Sequence, residues 1–232
     1  MKLPRHRVHV VPLGVDHDRF TPTGSQAELL DRPPYLLWVG RPYFRKSFPS
    51  LVHAFSTLVH NGRPEILVLI GPPGWGEAEF RASIRDCWCD DRVLQRGATW
   101  DLLPDWYRGA SLFAFPSTAE TFGLPVLEAM ASGTPVVCGD IAALRETGGQ
   151  AACYVNLFDE AGLADALDHI VVSELQRLRL AAAGITRAQE FTWIAAARDT
   201  WSVPCGLKRR PDTGSVSLGA PLSTEPRKRV PA

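Results

Sequence analysis

The chain has 232 residues, 45% of them hydrophobic, with 25 basic and 25 acidic side chains and a formal net charge of zero. Such a length and composition suit one well-filled core with a short appendage, and the balanced charge excludes a global field that would favour nucleic acid or an anionic membrane, so any anion site must be local. No apolar run is long enough to span a bilayer, and the opening MKLPRHR lacks the apolar stretch of a signal peptide, so the chain reads as cytoplasmic.

Taken in order, residues 35–39 form an apolar run of buried-strand type, followed by a helix in which Leu51, Val52, Phe55, Leu58 and Val59 recur at helical spacing until Asn61-Gly62 stops it. A second strand is expected at 66–70, a helix at 77–88, a third strand at 92–95 and a helix at 101–110. Residues 112–115 read as a fourth strand. Gly123-Leu124-Pro125 then opens a helix, because proline is tolerated in the first turn, and Ser132-Gly133 ends it. Strands at 135–138 and 152–155 and helices at 160–172 and 174–190 complete the pattern. The alternation predicts an α/β fold, a doubly wound parallel sheet of Rossmann-like type with a helical carboxy-terminal part. Residues 203–232 are rich in Pro, Gly and Ser and carry the basic triplets KRR (208–210) and RKR (227–229). Disorder is expected there, with at most a peripheral contact to an anionic membrane.

The five cysteines, Cys87, Cys89, Cys138, Cys153 and Cys205, are odd in number and irregularly spaced, which speaks for reduced thiols rather than a disulfide framework. The CWC run at 87–89 has no second Cys or His pair at ligand spacing, so no metal site is expected.

Residues 115–137, FPSTAETFGLPVLEAMASGTPVV, hold the most chemistry. They read as strand, loop, helix and strand, and they set Glu120 in the loop before a helix and Glu128 in its early turns. Ligands of parallel α/β sheets bind at the carboxyl ends of the strands, where free N–H groups at a helix start favour anions. Nearly all of Glu128's helical neighbours are apolar, and a carboxylate buried there without a partner would be costly, so Glu128 reads as a ligand contact.

These residues resemble the signature of the family 4 (group 1) retaining glycosyltransferases: two glutamates separated by seven residues, with FGLP between them and AMASGTPVV after them. Residues 11–20, VPLGVDHDRF, resemble that family's interdomain linker. LLWVGR at 36–41, with Lys46, resembles its first donor-domain strand and phosphate loop, and EFTW at 190–193 its late helical motif. The resemblance implies one half of a GT-B architecture, with a linker-like segment at 1–22, a nucleotide-sugar-binding domain at 23–202 and a tail at 203–232. The acceptor-binding Rossmann half would be absent from this chain. It also implies transfer of a hexosyl group from a nucleotide-diphosphate sugar with retention and without a metal or other cofactor, mannose and glucose donors being common in similar enzymes.

Residue by residue, the resemblance assigns Glu120 to the transferred sugar as the catalytic-site residue and Glu128 to the ribose hydroxyls. Gly40, Arg41 and Lys46 would serve the diphosphate, together with N–H groups from Thr121, Phe122, Gly123 and Leu124. GPPG at 71–74 resembles a loop facing the donor, and RGA at 96–98 falls where the base is often held. Two departures stand out: Leu13 where Asn is frequent, and Ser47 where Gly often follows the lysine. As a good helix-capping residue, Ser47 is expected to be harmless. A non-catalytic nucleotide-sugar binding module and a fragment of a GT-B nucleotide-sugar epimerase are alternatives that share the fold.

Overall fold

The structure is a computed structural model that describes residues 4, 8–27, 29, 34–72, 77–97 and 100–203. The expected disorder of the tail therefore falls, from residue 204 onward, outside the described residues, as do residues 73–74 of the GPPG loop and residue 98.

Six strands, β1 (Tyr35–Val39), β2 (Ile66–Ile70), β3 (Val93–Arg96), β4 (Leu112–Phe115), β5 (Val136–Gly139) and β6 (Cys153–Val155), make one sheet in the order β3-β2-β1-β4-β5-β6. Every pair is parallel, with Tyr35 opposite Ile66 and Leu36 opposite Leu112 setting the register on the two sides of β1. Parallel strands buried on both faces need continuous apolar runs, as YLLWV, ILVLI and LFAF provide.

The two-residue side-chain period sends alternate residues into two cores. On one face Tyr35, Leu37, Val68 and Phe113 pack with α3 (Leu103–Gly109), α4 (Leu124–Ala131) and α5 (Ala142–Gly148). On the other, Leu36, Trp38, Leu67 and Leu112 meet α1 (Phe48–His60), α2 (Glu77–Asp86) and α6 (Glu160–Val172). The sheet is thus doubly wound, as the alternation of elements implied. Two further helices, α7 (Glu174–Ala188) and α8 (Trp193–Ser202), complete the carboxy-terminal part. Residues of the linker-like segment pack on the junction between them: Val15 forms a parallel bridge with Thr192, and its N–H donates to the Phe191 carbonyl at 3.2 Å.

Several bounds differ from those the sequence suggests. The expected helix at 77–88 stops at Asp86, and Trp88 takes a left-handed conformation with φ of 53°. A 3-10 turn over Trp100–Leu102 replaces the start of the helix expected at 101–110. The strands at 92–95 and 135–138 begin one residue later, and that at 152–155 begins at Cys153. The helix expected to reach residue 190 ends at Ala188. Helices α5 and α8 are not foreshadowed by periodicity. The first is only seven residues long, and most of the second is exposed, so neither presents a full apolar stripe.

Candidate functional site

Strand order reverses between β1 and β4, because β1 connects to β2 on one side while β4 connects to β5 on the other. A crevice opens at the carboxyl ends of strands at such a switch point. Two loops meet there, one running from Gly40 to Ser47 and one from Pro116 to Gly123. Backbone and hydroxyl hydrogen bonds tie them together. The Arg45 carbonyl accepts from the Thr118 N–H at 2.7 Å and from Thr118 Oγ1 at 3.2 Å, and Ser117 Oγ lies 2.9 Å from it.

A 3-10 turn over Phe44–Lys46 places Lys46 inside this junction, with only 7% of its surface exposed. Its Nζ donates to Glu120 Oε1 at 2.7 Å and lies 4.1 Å from the centroid of the Phe115 ring. The same carboxylate oxygen accepts from Arg45 Nη1 at 2.8 Å and from Ser117 Oγ at 2.6 Å. Burial by itself would raise the Glu120 pKa, but the hydrogen bonds from Lys46 and Ser117, with the charges of Lys46 and Arg45, hold it below the usual carboxylate value. At Lys46 the balance tips the other way: loss of water outweighs the bond to Glu120 and lowers the ammonium pKa.

Glu128 lies in the second turn of α4, 5% exposed, and its Oε2 accepts from the Tyr107 hydroxyl at 3.0 Å. Tyr107 is itself enclosed, with Phe20 and Phe113 packed edge-on against its ring, while its carbonyl accepts from Thr134 Oγ1 at 2.6 Å. Burial pushes the Glu128 carboxyl above its ordinary value, against the pull of the Tyr107 bond and of the Arg19 charge. Burial and the neighbouring Glu128 also push the phenol up, so Tyr107 donates as a neutral group.

The remaining expected residues take distinct places. Gly40 ends β1, and its N–H donates to the Ile70 carbonyl at 2.9 Å. The end of β2 fits so closely beside it that a Cβ on Gly71 would stand 1.8 Å from the Gly40 carbonyl oxygen. Arg41 is exposed and does not join the Glu120 cluster. Thr121 is exposed, and Phe122 is half-buried, its ring edge-on to Phe191 and its carbonyl accepting from Thr147 Oγ1 at 2.5 Å. Gly123 precedes α4 with φ of 95°, a left-handed turn into the helix at Leu124, and no side chain caps that helix start. Arg96 is exposed, as is Gly97.

The structure thus brings Gly40, Lys46 and Glu120 together at the switch point and sets Glu128 in the helix that follows the Glu120 loop. Three supporting residues escape the sequence: Arg45, Ser117 and Tyr107. Arg45 directly precedes Lys46 and Ser117 stands three residues before Glu120, a spacing that could have flagged both. Tyr107 is 21 positions from Glu128 and only the fold joins them. Ser47 departs from expectation too. It precedes α1 with φ of 44° and no side-chain cap, so it leads into the helix through its backbone turn rather than its hydroxyl.

A family profile described as glycosyl transferases group 1 matches residues 33–172. A D-inositol 3-phosphate glycosyltransferase of Frankia alni is 38% identical over 208 residues, covering 83% of this chain and 51% of the relative. The chain belongs to the group 1 glycosyltransferases. It spans about half the length of such relatives. Among solved structures, a sucrose-phosphate synthase from Thermosynechococcus elongatus aligns with a TM-score of 0.75 at 28% identity, over 84% of this chain and 51% of that one. An Anabaena protein solved in complex with UDP and glucose shares the fold, with a TM-score of 0.72 at 20% identity over 83% of this chain and 55% of its own. The Rossmann-like sheet is therefore that of a GT-B glycosyltransferase half. Among the described residues no helix is long and apolar enough to cross a membrane.

Proposed function

We propose that this chain is the donor-binding half of a retaining hexosyltransferase that uses a nucleotide-diphosphate sugar. The observation that carries the reading is the meeting of Glu120 and Lys46 at the switch point of the sheet, one helix start away from Glu128. When the sugar–phosphate bond breaks, negative charge grows on the departing diphosphate. Lys46, Arg41 and the N–H groups from Thr121 to Leu124 would stabilise it. Gly40 lets the backbone approach the phosphates without a side chain intervening.

Glu128 suits the ribose, since a carboxylate can accept from both hydroxyls of a vicinal diol. Glu120 suits the transferred hexose. Three donors on one oxygen and a lowered pKa make it a weak nucleophile and a firm hydrogen-bond acceptor, which favours a role in orienting the sugar. The UDP and glucose bound by the Anabaena protein agree with a donor of this class. The acceptor would bind a second Rossmann-like half lying outside this chain. A non-catalytic nucleotide-sugar binding module is the second reading, because it would share the fold and the donor-side residues.

Calorimetric titration of the chain with UDP, GDP and ADP, and with the matching nucleosides, tests the assignment. Lys46→Ala and Arg41→Ala should each weaken the diphosphate by about 10- to 100-fold, the ~1.5–3 kcal/mol of a bond to a charged group, and leave the nucleoside nearly untouched. Equal loss for both ligands would remove the cations from the phosphate site. Addition of an acceptor half that restores transfer would separate the enzyme from the module.

A further inference from the structure

Lys46 has two claims upon it. In the structure its ammonium is bonded to Glu120, yet the donor-site reading, on which this inference rests, asks it to face a diphosphate. A Glu120 deprived of Lys46 beside a polyanion would be driven toward protonation and would lose its fixed orientation. The surrounding residues offer a substitute. Arg45 Nη1 already donates to the same Oε1 at 2.8 Å and to the Ala119 carbonyl at 2.9 Å, and the Arg45 carbonyl accepts from the Thr118 N–H at 2.7 Å. This one residue therefore binds both the carboxylate and the loop that carries it. Its side chain is 47% exposed, against 9% for Lys46, so its guanidinium also has an open side toward solvent.

We propose that Arg45 is a positioning residue that keeps Glu120 ionised and in place when Lys46 turns from that carboxylate to the donor's diphosphate. Lys46 can turn without becoming isolated, because the Phe115 ring 4.1 Å away remains beneath its ammonium as a cation–π partner. Arg45 can stay because its guanidinium is anchored twice on the Glu120 loop, to the Ala119 carbonyl and to the carboxylate itself. Ser117 Oγ supplies the remaining donor to Glu120 at 2.6 Å. The arrangement is a division of labour between adjacent cations: the buried point charge for phosphate, the planar fork for the carboxylate.

The test follows the Glu120 carboxyl by carbon NMR in the full chain labelled at glutamate, titrated between pH 4 and 8 with and without saturating inorganic pyrophosphate. Glu120→Gln identifies the resonance. In the wild type the midpoint should stay low in both conditions. In Arg45→Met it should stay low without pyrophosphate, where Lys46 still pairs with Glu120, and move up by about one unit or more when pyrophosphate binds, the shift expected on loss of a neighbouring opposite charge. Arg45→Lys should recover part of the effect. A low midpoint in pyrophosphate-bound Arg45→Met would overturn the proposal while leaving the donor site intact. So would a loss of pyrophosphate affinity in Arg45→Met that exceeds the loss in Lys46→Met, since Arg45 would then be the phosphate cation. Failure of the wild type to bind pyrophosphate at all would overturn the donor-site reading and this proposal with it. Thermal melts of each variant confirm that the fold is retained.

Discussion

Glu120 and Glu128 are both withdrawn from water, yet their environments push them in opposite directions. Glu120 is held low by Lys46, Ser117 and Arg45, so its contribution to stability is present above the carboxyl pKa of the unfolded chain and is lost as pH falls through the lowered folded value. Glu128 is held high by burial. Its ionised form therefore costs stability at neutral pH, and that cost is relieved as pH falls through its raised folded value. Glu128→Gln keeps an acceptor for the Tyr107 hydroxyl while removing the buried charge, so its melting temperature at pH 7 should equal or exceed that of the wild type while nucleoside affinity falls. A lowered melting temperature would show that the charge is stabilised by more than Tyr107 and Arg19. Tyr107→Phe should act otherwise. It strips the donor from a buried carboxylate, so a loss of about 1–3 kcal/mol is expected in denaturant unfolding, with nucleoside binding weakened as the carboxylate loses its orientation.

At the scale of elements, the entry into α4 decides whether the two glutamates share a site. Gly123 has φ of 95°, and a Cβ there would stand 2.4 Å from Leu144 Cδ2 on α5. Gly62, after α1, has φ of 79°, and a Cβ there would meet nothing within 4 Å, so it isolates the backbone term. Gly62→Ala should therefore lose about 1–2 kcal/mol from left-handed strain alone. Gly123→Ala should lose that amount and a further ~1–3 kcal/mol from overpacking, read from urea unfolding midpoints. Equal losses would mean that Leu144 rotates away freely. Ser47, left-handed with φ of 44°, offers the converse: Ser47→Gly should hold or raise stability, because the residue that leads Lys46 into α1 no longer bears a side chain.

For the whole molecule, apolar side chains stand exposed among the described residues along the linker-like segment and α8: Val8, Val10, Leu13, Trp193, Ile194 and Trp201. Leu13 and Ala195 line a common cavity of about 300 Å³ beside Arg187 and Phe191, so the two stretches share one side of the fold. Such a surface favours association. Light scattering of the purified chain should show concentration-dependent self-association and binding of a hydrophobic dye. A monomer that binds no dye would show that this surface needs no cover.

Much of this architecture was legible in the order of residues, for local reasons. Buried parallel strands must be unbroken apolar runs, which is why YLLWV, ILVLI and LFAF could be read to their ends, and amphipathic periodicity marked α1. The glutamate pair and Lys46 were legible as residue types at motif spacing. Short α5, exposed α8 and the left-handed turns at Trp88 and Ser47 left weaker traces, because neither helix presents a full apolar stripe and a single turn has no periodicity to read. Sequence alone therefore determined the sheet, its winding and the residue types at motif spacing that we propose meet a glycosyl nucleotide. Only the tertiary structure decided who pairs with whom: Lys46 and Arg45 reach Glu120 across more than 70 positions, and Tyr107 reaches Glu128 from another helix. The physical reason is that partner choice in a buried site depends on which loops the parallel crossovers bring to one sheet edge, and spacing along the chain does not encode that distance.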